Sequence, residues 1–141
     1  MPYAVTAELT MALQCEDGRL GVPAVLSYTK AEPFAVELTF YRPLSAPVRW
    51  TFARSLISTA LTYGNAGRGD VRFSAGPHPG ELTVHLSSPD GEATLYVSWH
   101  QLRHALERTH LVVPEGQEST QLDWRPLERL LAAARGKDDT P

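Results

Sequence analysis

The 141-residue chain is long enough for one domain with one hydrophobic core and too short for two. Hydrophobic residues make up 43% and charged residues 21%, which excludes wholesale disorder, and the net charge of -3 argues against unspecific binding of polyanions. The single cysteine, Cys15, excludes an internal disulfide and a thiolate metal cluster. Because no basic, apolar leader opens the chain, we expect a cytoplasmic protein without membrane insertion. We predict a single domain over residues 1–136 and a flexible tail over residues 137–141.

Alternation of apolar and polar residues predicts the strands of the first half of the chain. Residues 3 to 15 alternate over their full length, with Leu9 on one face and Glu8 on the other. The Glu16-Asp17-Gly18-Arg19 segment predicts a hairpin turn in which Gly18 supplies the positive φ. Three further strands are predicted at residues 24–28, 34–40 and 48–52.

The period changes to that of a helix after the fourth strand. An apolar stripe is formed by residues spaced three and four apart, namely Ala53, Leu56, Ile57, Ala60 and Leu61. The opposite, polar side is predicted to hold Arg54, Ser55, Ser58, Thr59 and Thr62. Gly64 is predicted to end the helix. The glycine-rich segment at residues 64–70 runs from helix to strand, the reverse of a phosphate-binding loop, so we interpret it as a flexible connection.

The second half repeats this plan. Strands are predicted at residues 71–73, 82–86 and 93–97, with a turn at residues 88–91. Ser98 and Gln101 have the spacing of a capping box, and the helix they open has an apolar face of Trp99, Leu102, Ala105 and Leu106. A third helix is predicted between Asp123 and Gly136, with the apolar stripe Leu127, Leu130, Leu131 and Ala134. These elements predict an α+β fold of mostly antiparallel strands, with a helix following each sheet half.

The strongest pattern for metal chemistry is on the predicted second helix. His100 and His104 are four residues apart, and Glu107 lies one turn further on, a spacing that can supply two imidazoles and a carboxylate. However, Arg103 and Arg108 share this polar face and would repel a dication. We therefore predict no metal and no cofactor, and we predict that His100, Arg103, His104 and Glu107 form a protein-interaction surface.

No arrangement of residues indicates an enzyme, and we predict no catalytic residues. None of the serines lies in a Gly-x-Ser-x-Gly elbow, and no pattern pairs a carboxylic acid with a base. The alternative function is binding of single-stranded nucleic acid by exposed aromatic residues and arginines on a curved sheet. The candidates are Tyr28, Tyr41 and Tyr96, with Arg42, Arg49 and Arg72.

Four stretches of the chain resemble the SsgA/SsgB-like family of sporulation and cell-division proteins of filamentous actinobacteria. They are Glu32-Pro33-Phe34-Ala35-Val36, Trp50-Thr51-Phe52-Ala53-Arg54-Ser55-Leu56, Gly67-Arg68-Gly69-Asp70-Val71-Arg72 and Leu86-Ser87-Ser88-Pro89-Asp90-Gly91-Glu92-Ala93. They occur in the family's order and with similar gaps, and the resemblance extends over residues 3 to 135.

This resemblance implies a fold similar to the Whirly nucleic-acid-binding proteins, with two antiparallel sheets and helices between them, and assembly as a homotrimer. It also implies a function in sporulation septation, in which SsgB-like members localise at division septa and recruit the tubulin-like protein FtsZ. Other paralogues influence septum placement or spore wall assembly, so the expected partner is FtsZ or an SsgA-type paralogue. The family has no catalytic residues that could be transferred to this chain.

Overall fold

The computed structural model describes residues 3–138, which form seven strands and three α-helices. The strands are β1 (Ala4–Cys15), β2 (Gly18–Thr29), β3 (Ala35–Phe40), β4 (Val48–Ala53), β5 (Val71–Ala75), β6 (Glu81–Ser88) and β7 (Gly91–Ser98). The helices are α1 (Arg54–Tyr63), α2 (Trp99–His110) and α3 (Arg125–Asp138), and a short 3₁₀ helix covers Glu118–Gln121. The predicted α+β class is confirmed, as are the helices that follow β4 and β7. None of the described helices is long and apolar enough to cross a membrane.

The strands form one curled antiparallel sheet in the order β4-β3-β2-β1-β7-β6-β5. The prediction of two separate sheets is therefore wrong. Two residue pairs, Ala12 with Tyr96 and Leu13 with Leu95, join β1 to β7 and so connect the two halves. Alternation along one strand cannot reveal this junction, because the paired residues lie more than eighty positions apart in the chain.

The predicted hairpin between β1 and β2 is confirmed. The two strands pair from Ala4 with Thr29 to Cys15 with Gly18, and Gly18 has a φ of 127°. Alternate residues of β1 are buried, as predicted, and they share the core with residues of the helices. The buried members from β1, β2, β6, α1 and α2 include Leu9, Leu26, Val84, Ile57 and Leu102. Burial of one such side chain contributes about 1.5–3 kcal/mol, so the alternating pattern stabilises the sheet's inner face.

Arg54 departs most clearly from its predicted position. We predicted it on the polar side of α1, but its side chain is buried, with a relative exposure of 1% for the residue. Its guanidinium donates hydrogen bonds to the carbonyl oxygens of Val113 (2.6 Å) and Thr109 (3.3 Å), and to Oε1 of Glu118 (2.7 Å). Its Cζ also lies 4.6 Å from the ring centroid of Tyr28. A buried guanidinium requires such partners, and they come from the segment that follows α2.

The glycine-rich connection after α1 is closed by backbone contacts. Gly64 has a left-handed φ of 80° and ends α1, as predicted. Ala66 and Phe73 exchange two backbone hydrogen bonds of 3.0 and 2.8 Å. Gly67 has a φ of 94°, and a Cβ at this position would lie 2.5 Å from the carbonyl oxygen of Val71. Tight packing of backbone against backbone therefore requires glycine here.

The C-terminal helix is longer than predicted. It continues to Asp138, so Gly136 does not end it. A glycine inside a helix costs only about 1 kcal/mol relative to alanine, so a single glycine does not by itself end a helix. Of the predicted tail, residues 139–141 lie outside the described residues.

Candidate interaction surface

Helix α2 is held firmly at its first turn. Ser98 caps it, because its Oγ accepts a hydrogen bond from the backbone N–H of Gln101 (3.3 Å), as the capping-box spacing predicted. The Gln101 side chain does not complete the box and instead accepts a hydrogen bond from the backbone N–H of Thr10 (3.4 Å). Trp99 donates its indole N–H to the carbonyl oxygen of Leu61 at 3.0 Å. These contacts tie the start of α2 to both α1 and β1.

The far end of α2 is held by the Arg54 contacts. Thr109, in the last turn, is buried, and its carbonyl oxygen is an acceptor for Arg54. Burial, the largest single effect, raises the pKa of Glu118, but the hydrogen bond and charge of Arg54 together with backbone hydrogen bonds outweigh it and leave the pKa below its ordinary value. Glu118 is therefore ionised at neutral pH, and the ion pair fastens the segment after α2 to the start of α1.

His100 and His104 lie together on the exposed side of α2. With Arg108 they line a shallow groove of about 270 Å³ against Ala7 and Glu8 of β1. Both histidines are exposed, and neither ring makes a hydrogen bond to any residue in the described part of the chain. The His100 ring makes an edge-to-face contact with the Trp99 ring, with centroids 5.3 Å apart. The ring nitrogens of both histidines remain available to another molecule.

Arg103 and Glu107 form a separate pair on the neighbouring side of the helix. Nε of Arg103 lies 2.9 Å from Oε1 of Glu107, and the Arg103 Cζ lies 5.5 Å from the ring centroid of Trp99. Glu107 therefore interacts with arginine and does not join His100 and His104. The structure divides the four predicted residues into a histidine groove and an adjacent ion pair.

The groove also contains a residue that the sequence did not assign to the site. Glu8 is an exposed, outward-facing residue of β1, and it reaches the groove because α2 packs beside this strand. Its only sequence signal is its place on the polar face of an alternating strand. Many residues share that signal, so it could not single out Glu8.

The candidates for nucleic-acid binding do not converge on one surface. Tyr28 is buried and donates its hydroxyl to the carbonyl oxygen of Pro33 at 2.7 Å, so its ring cannot stack on a base. Arg19 covers the ring of Tyr96, with its Cζ 3.8 Å from the centroid. Tyr41 is exposed and lies with Arg42 at one cavity. However, Arg49 and Arg72 belong to β4 and β5, the two opposite edges of the sheet. The described residues therefore form no continuous basic, aromatic groove.

Comparison with known proteins identifies the family. The family model described as "Streptomyces sporulation and cell division protein, SsgA" matches residues 22–118. The chain belongs to the SsgA family. This match includes all four stretches that carry the resemblance, and it extends from β2 through α2 to the start of the 3₁₀ helix. The buried Arg54, its partner Glu118 and the groove histidines all lie within the part of the chain that the SsgA family shares.

Individual members of the SsgA family support the assignment. The chain is 38% identical over 136 residues to the sporulation-specific cell division protein SsgB of Streptomyces coelicolor, covering 94% of this chain and 98% of that protein. It is 39% identical over 137 residues to SsgB of Salinispora tropica, covering 93% and 95% of the two chains. It is 36% identical over 136 residues to a sporulation-specific cell division protein of Frankia casuarinae, covering 94% and 92%.

Two solved structures of SsgA-family proteins have the same fold. One comes from work on SsgB mutations that correlate with longitudinal cell division during sporulation of Streptomyces coelicolor. It matches with a TM-score of 0.77 and 37% identity, over 84% of this chain and 95% of that chain. The other is an SsgA-like sporulation-specific cell division protein from Thermobifida fusca. It matches with a TM-score of 0.75 and 29% identity, over 93% of this chain and 95% of that chain.

Proposed function

We propose that this chain is a non-catalytic regulator of sporulation-specific cell division, which binds a protein of the division machinery through the polar face of α2. The partner is FtsZ or an SsgA-type paralogue, and the site of action is the division septum in the cytoplasm. This function belongs to a single domain over residues 1–136 with a Whirly-like fold. The domain assembles as a homo-oligomer, and the family resemblance implies that the oligomer is a trimer. Membership of a family of sporulation and cell division proteins supports the cellular role.

The observation that supports the surface is the contrast between the two sides of α2. Its inner side is buried and tied at both ends, whereas His100 and His104 stand exposed beside a groove. A rigid helix loses little conformational entropy when its exposed side chains bind a partner. Arg103 and Glu107 extend the same surface with charges of both signs, which suits a polar contact to a protein more than to a uniformly anionic nucleic acid.

Co-sedimentation with FtsZ filaments tests this proposal. We expect the wild-type chain to pellet with the filaments. The His100→Ala/His104→Ala variant is expected to bind at least about tenfold more weakly, which corresponds to about 1.4 kcal/mol. The matched control is His78→Ala, which removes another exposed histidine from the loop between β5 and β6 and should leave binding unchanged. Equal binding by the wild type and the double variant would exclude this surface.

The alternative function is tested in parallel by fluorescence anisotropy with labelled single-stranded DNA. We expect no binding at micromolar protein, because the chain is acidic overall and its arginines are dispersed. DNA binding that weakens steeply with added salt, together with no filament association, would replace our proposal with the nucleic-acid alternative. If neither assay shows binding, FtsZ is excluded as the partner and the SsgA-type paralogue is favoured. A pull-down of that paralogue with the wild type and the same histidine variants then tests the second partner.

A further inference from the structure

The curled sheet has two edge strands, and the described residues cover only one of them. β5 is the first edge, and Ala66 of the connection after α1 exchanges two backbone hydrogen bonds with Phe73 in this strand. β4 is the second edge. It pairs with β3 along its full length from Val48 to Ala53, and no backbone hydrogen bond joins its other side to another described strand or loop. An uncovered edge presents backbone donors and acceptors on which a further strand can pair.

The register of the β3–β4 pair identifies the unpaired groups of β4. The backbone N–H of Arg54 donates to the carbonyl oxygen of Phe34 at 2.8 Å, so these residues form a hydrogen-bonded pair at the end of the antiparallel ladder. In such a ladder every second pair is hydrogen-bonded, so the even-numbered residues of β4 bond to β3. The odd-numbered ones, Arg49, Thr51 and Ala53, point their backbone N–H groups to the free edge. The carbonyl oxygens of Arg49 and Thr51 point the same way.

The inner face of β4 is apolar and only half-buried. Val48, Trp50 and Phe52 point inward and are half-buried, whereas the β3 residues that pair with them are buried. Val48 and Trp50 also line a cavity of about 780 Å³, whose other apolar members include Leu13 and Leu95. The strand therefore has apolar surface left for a neighbour on its free side. Inward-facing side chains of an added strand would bury this surface, and such burial is the main favourable contribution to protein association.

The outer face of β4 carries a positive charge at Arg49. Its Nε lies 3.9 Å from Oε1 of Glu37 on β3, and the two side chains are 69% and 44% exposed. An exposed pair at this distance contributes little, so Arg49 can also pair with an acidic residue on its other side. The cavity on the inner side carries charges of both signs, Arg42, Asp90 and Glu92. It therefore selects side chains by its apolar surface and not by charge.

We propose that β4 accepts an extended segment of a partner protein as an additional strand of the sheet. The segment has apolar side chains that face Trp50 and the cavity, and an acidic side chain beside Arg49 on the outer face. Addition of a strand to an exposed sheet edge is a recurrent mode of peptide recognition, in which backbone hydrogen bonds supply affinity and alternate side chains supply specificity. Both parts are present here, since the unpaired backbone groups and the half-buried apolar row belong to one strand.

The geometry also limits the length of the segment. Pro47, just before β4, has no backbone N–H, and α1 begins directly after Ala53, so the free edge extends only from Arg49 to Ala53. Partner residues opposite Trp50 point inward and their neighbours point outward, so the segment alternates apolar and polar residues over about five positions. This inference goes beyond the proposed function, because β4 is not part of the polar face of α2 and the two surfaces are tested separately.

A labelled peptide and a proline variant test the strand addition. The probe is the capped peptide Thr-Val-Thr-Val-Glu-Val, which in antiparallel pairing places a valine opposite Trp50 and the glutamate opposite Arg49. Thr51→Pro removes only an N–H that points away from β3, so it should keep the fold and block the added strand. Thr51→Ala is the matched control, because it keeps this N–H.

Fluorescence anisotropy measures the binding of the probe. We expect the wild type and Thr51→Ala to bind alike, and Thr51→Pro to bind at least about tenfold more weakly. The probe carrying an N-methyl group on its residue opposite Thr51 should bind the wild type equally weakly, so the test does not depend on the folding of Thr51→Pro. Arg49→Glu should weaken binding of the probe and strengthen binding of a probe with lysine in place of glutamate.

Hydrogen exchange followed at each residue by NMR locates the contact. In the protein alone, the backbone N–H groups of Arg49 and Thr51 should exchange fast and those of Trp50 and Phe52 slowly, because only the latter two bond to β3. Saturation with the probe should slow the exchange at Thr51 by at least about tenfold.

Three results would overturn the strand addition. They are no binding of the probe at about 1 mM, equal binding by the wild type and Thr51→Pro, and slow exchange at Thr51 in the protein alone. The last result, if it depends on protein concentration, would show that a second copy covers β4 instead. The His100→Ala/His104→Ala variant should bind the probe as the wild type does, so failure of this surface and failure of the proposed α2 surface are distinguishable.

Discussion

Replacing Arg54 by methionine should strongly destabilise the protein. Methionine fills much of the same volume but removes every hydrogen bond that the guanidinium donates to Thr109, Val113 and Glu118. It also leaves the Glu118 carboxylate, whose side chain is 15% exposed, without its counter-charge. Breaking a buried ion pair by removing one partner costs about 3–5 kcal/mol. For a chain of this size, a loss of that magnitude lowers the melting temperature by roughly 10 °C.

Chemical denaturation at one fixed protein concentration measures this loss. The matched control is Arg49→Met, because Arg49 is largely exposed and lies 3.9 Å from Glu37, so its loss should cost less than about 0.5 kcal/mol. In a double-mutant cycle, Glu118→Gln should destabilise the wild type but should be neutral or stabilising in the Arg54→Met background, where it removes the unpaired charge. A cost below about 1 kcal/mol for Arg54→Met, or additive effects in the cycle, would refute this account of the buried pair.

Two further predictions concern a glycine and a histidine. Gly67→Ala should destabilise the protein by about 1–3 kcal/mol in the same denaturation assay, because Gly67 has a positive φ and the new Cβ would clash with the carbonyl oxygen of Val71. The control is Gly69→Ala, which should be close to neutral because Gly69 has open space around it and no positive φ. Burial, and to a smaller extent the nearby Arg54 charge, lowers the pKa of His110 from its ordinary value of 6.5. The folded state therefore favours the neutral ring. As the pH falls through about 6.5, the unfolded state takes up a proton more readily, so the free energy of unfolding should decrease. His110→Leu, which also removes the unpartnered buried Nε2, should flatten this decrease, and an unchanged pH profile would contradict the assignment.

The elements of secondary structure were predictable because their signals are local. The alternation along β1, the turn at Gly18 and the cap at Ser98 each depend on residues within a few positions of one another, and all three appear in the structure. The same holds for the exposed histidines of α2, since the helical period alone assigns His100 and His104 to the polar face.

Which residues form the interaction surface could be identified only from the tertiary structure. The helical period placed Glu107 near His104, but the ion pair with Arg103 holds it on the neighbouring side. Glu8 enters the groove only because α2 packs beside β1, more than ninety residues away in the chain. The spacing of residues along a helix indicates which side chains share a face. It does not indicate which of these side chains bond to each other, or which distant strand packs beside the helix.

The burial of Arg54 could not be predicted from neighbouring residues in the sequence. By itself, the sequence determined an α+β chain with alternating strands, amphipathic helices and an acidic, cysteine-poor surface, since each property follows from composition or short-range period. Only the tertiary structure decided that the charged residue at the start of α1 is buried, because its acceptors lie 55 to 64 residues further along the chain. Burial of a charge is stable only when such partners surround it, and that condition arises when distant segments fold together. The contact between distant segments also joined the two sheet halves, because β1 pairs with β7.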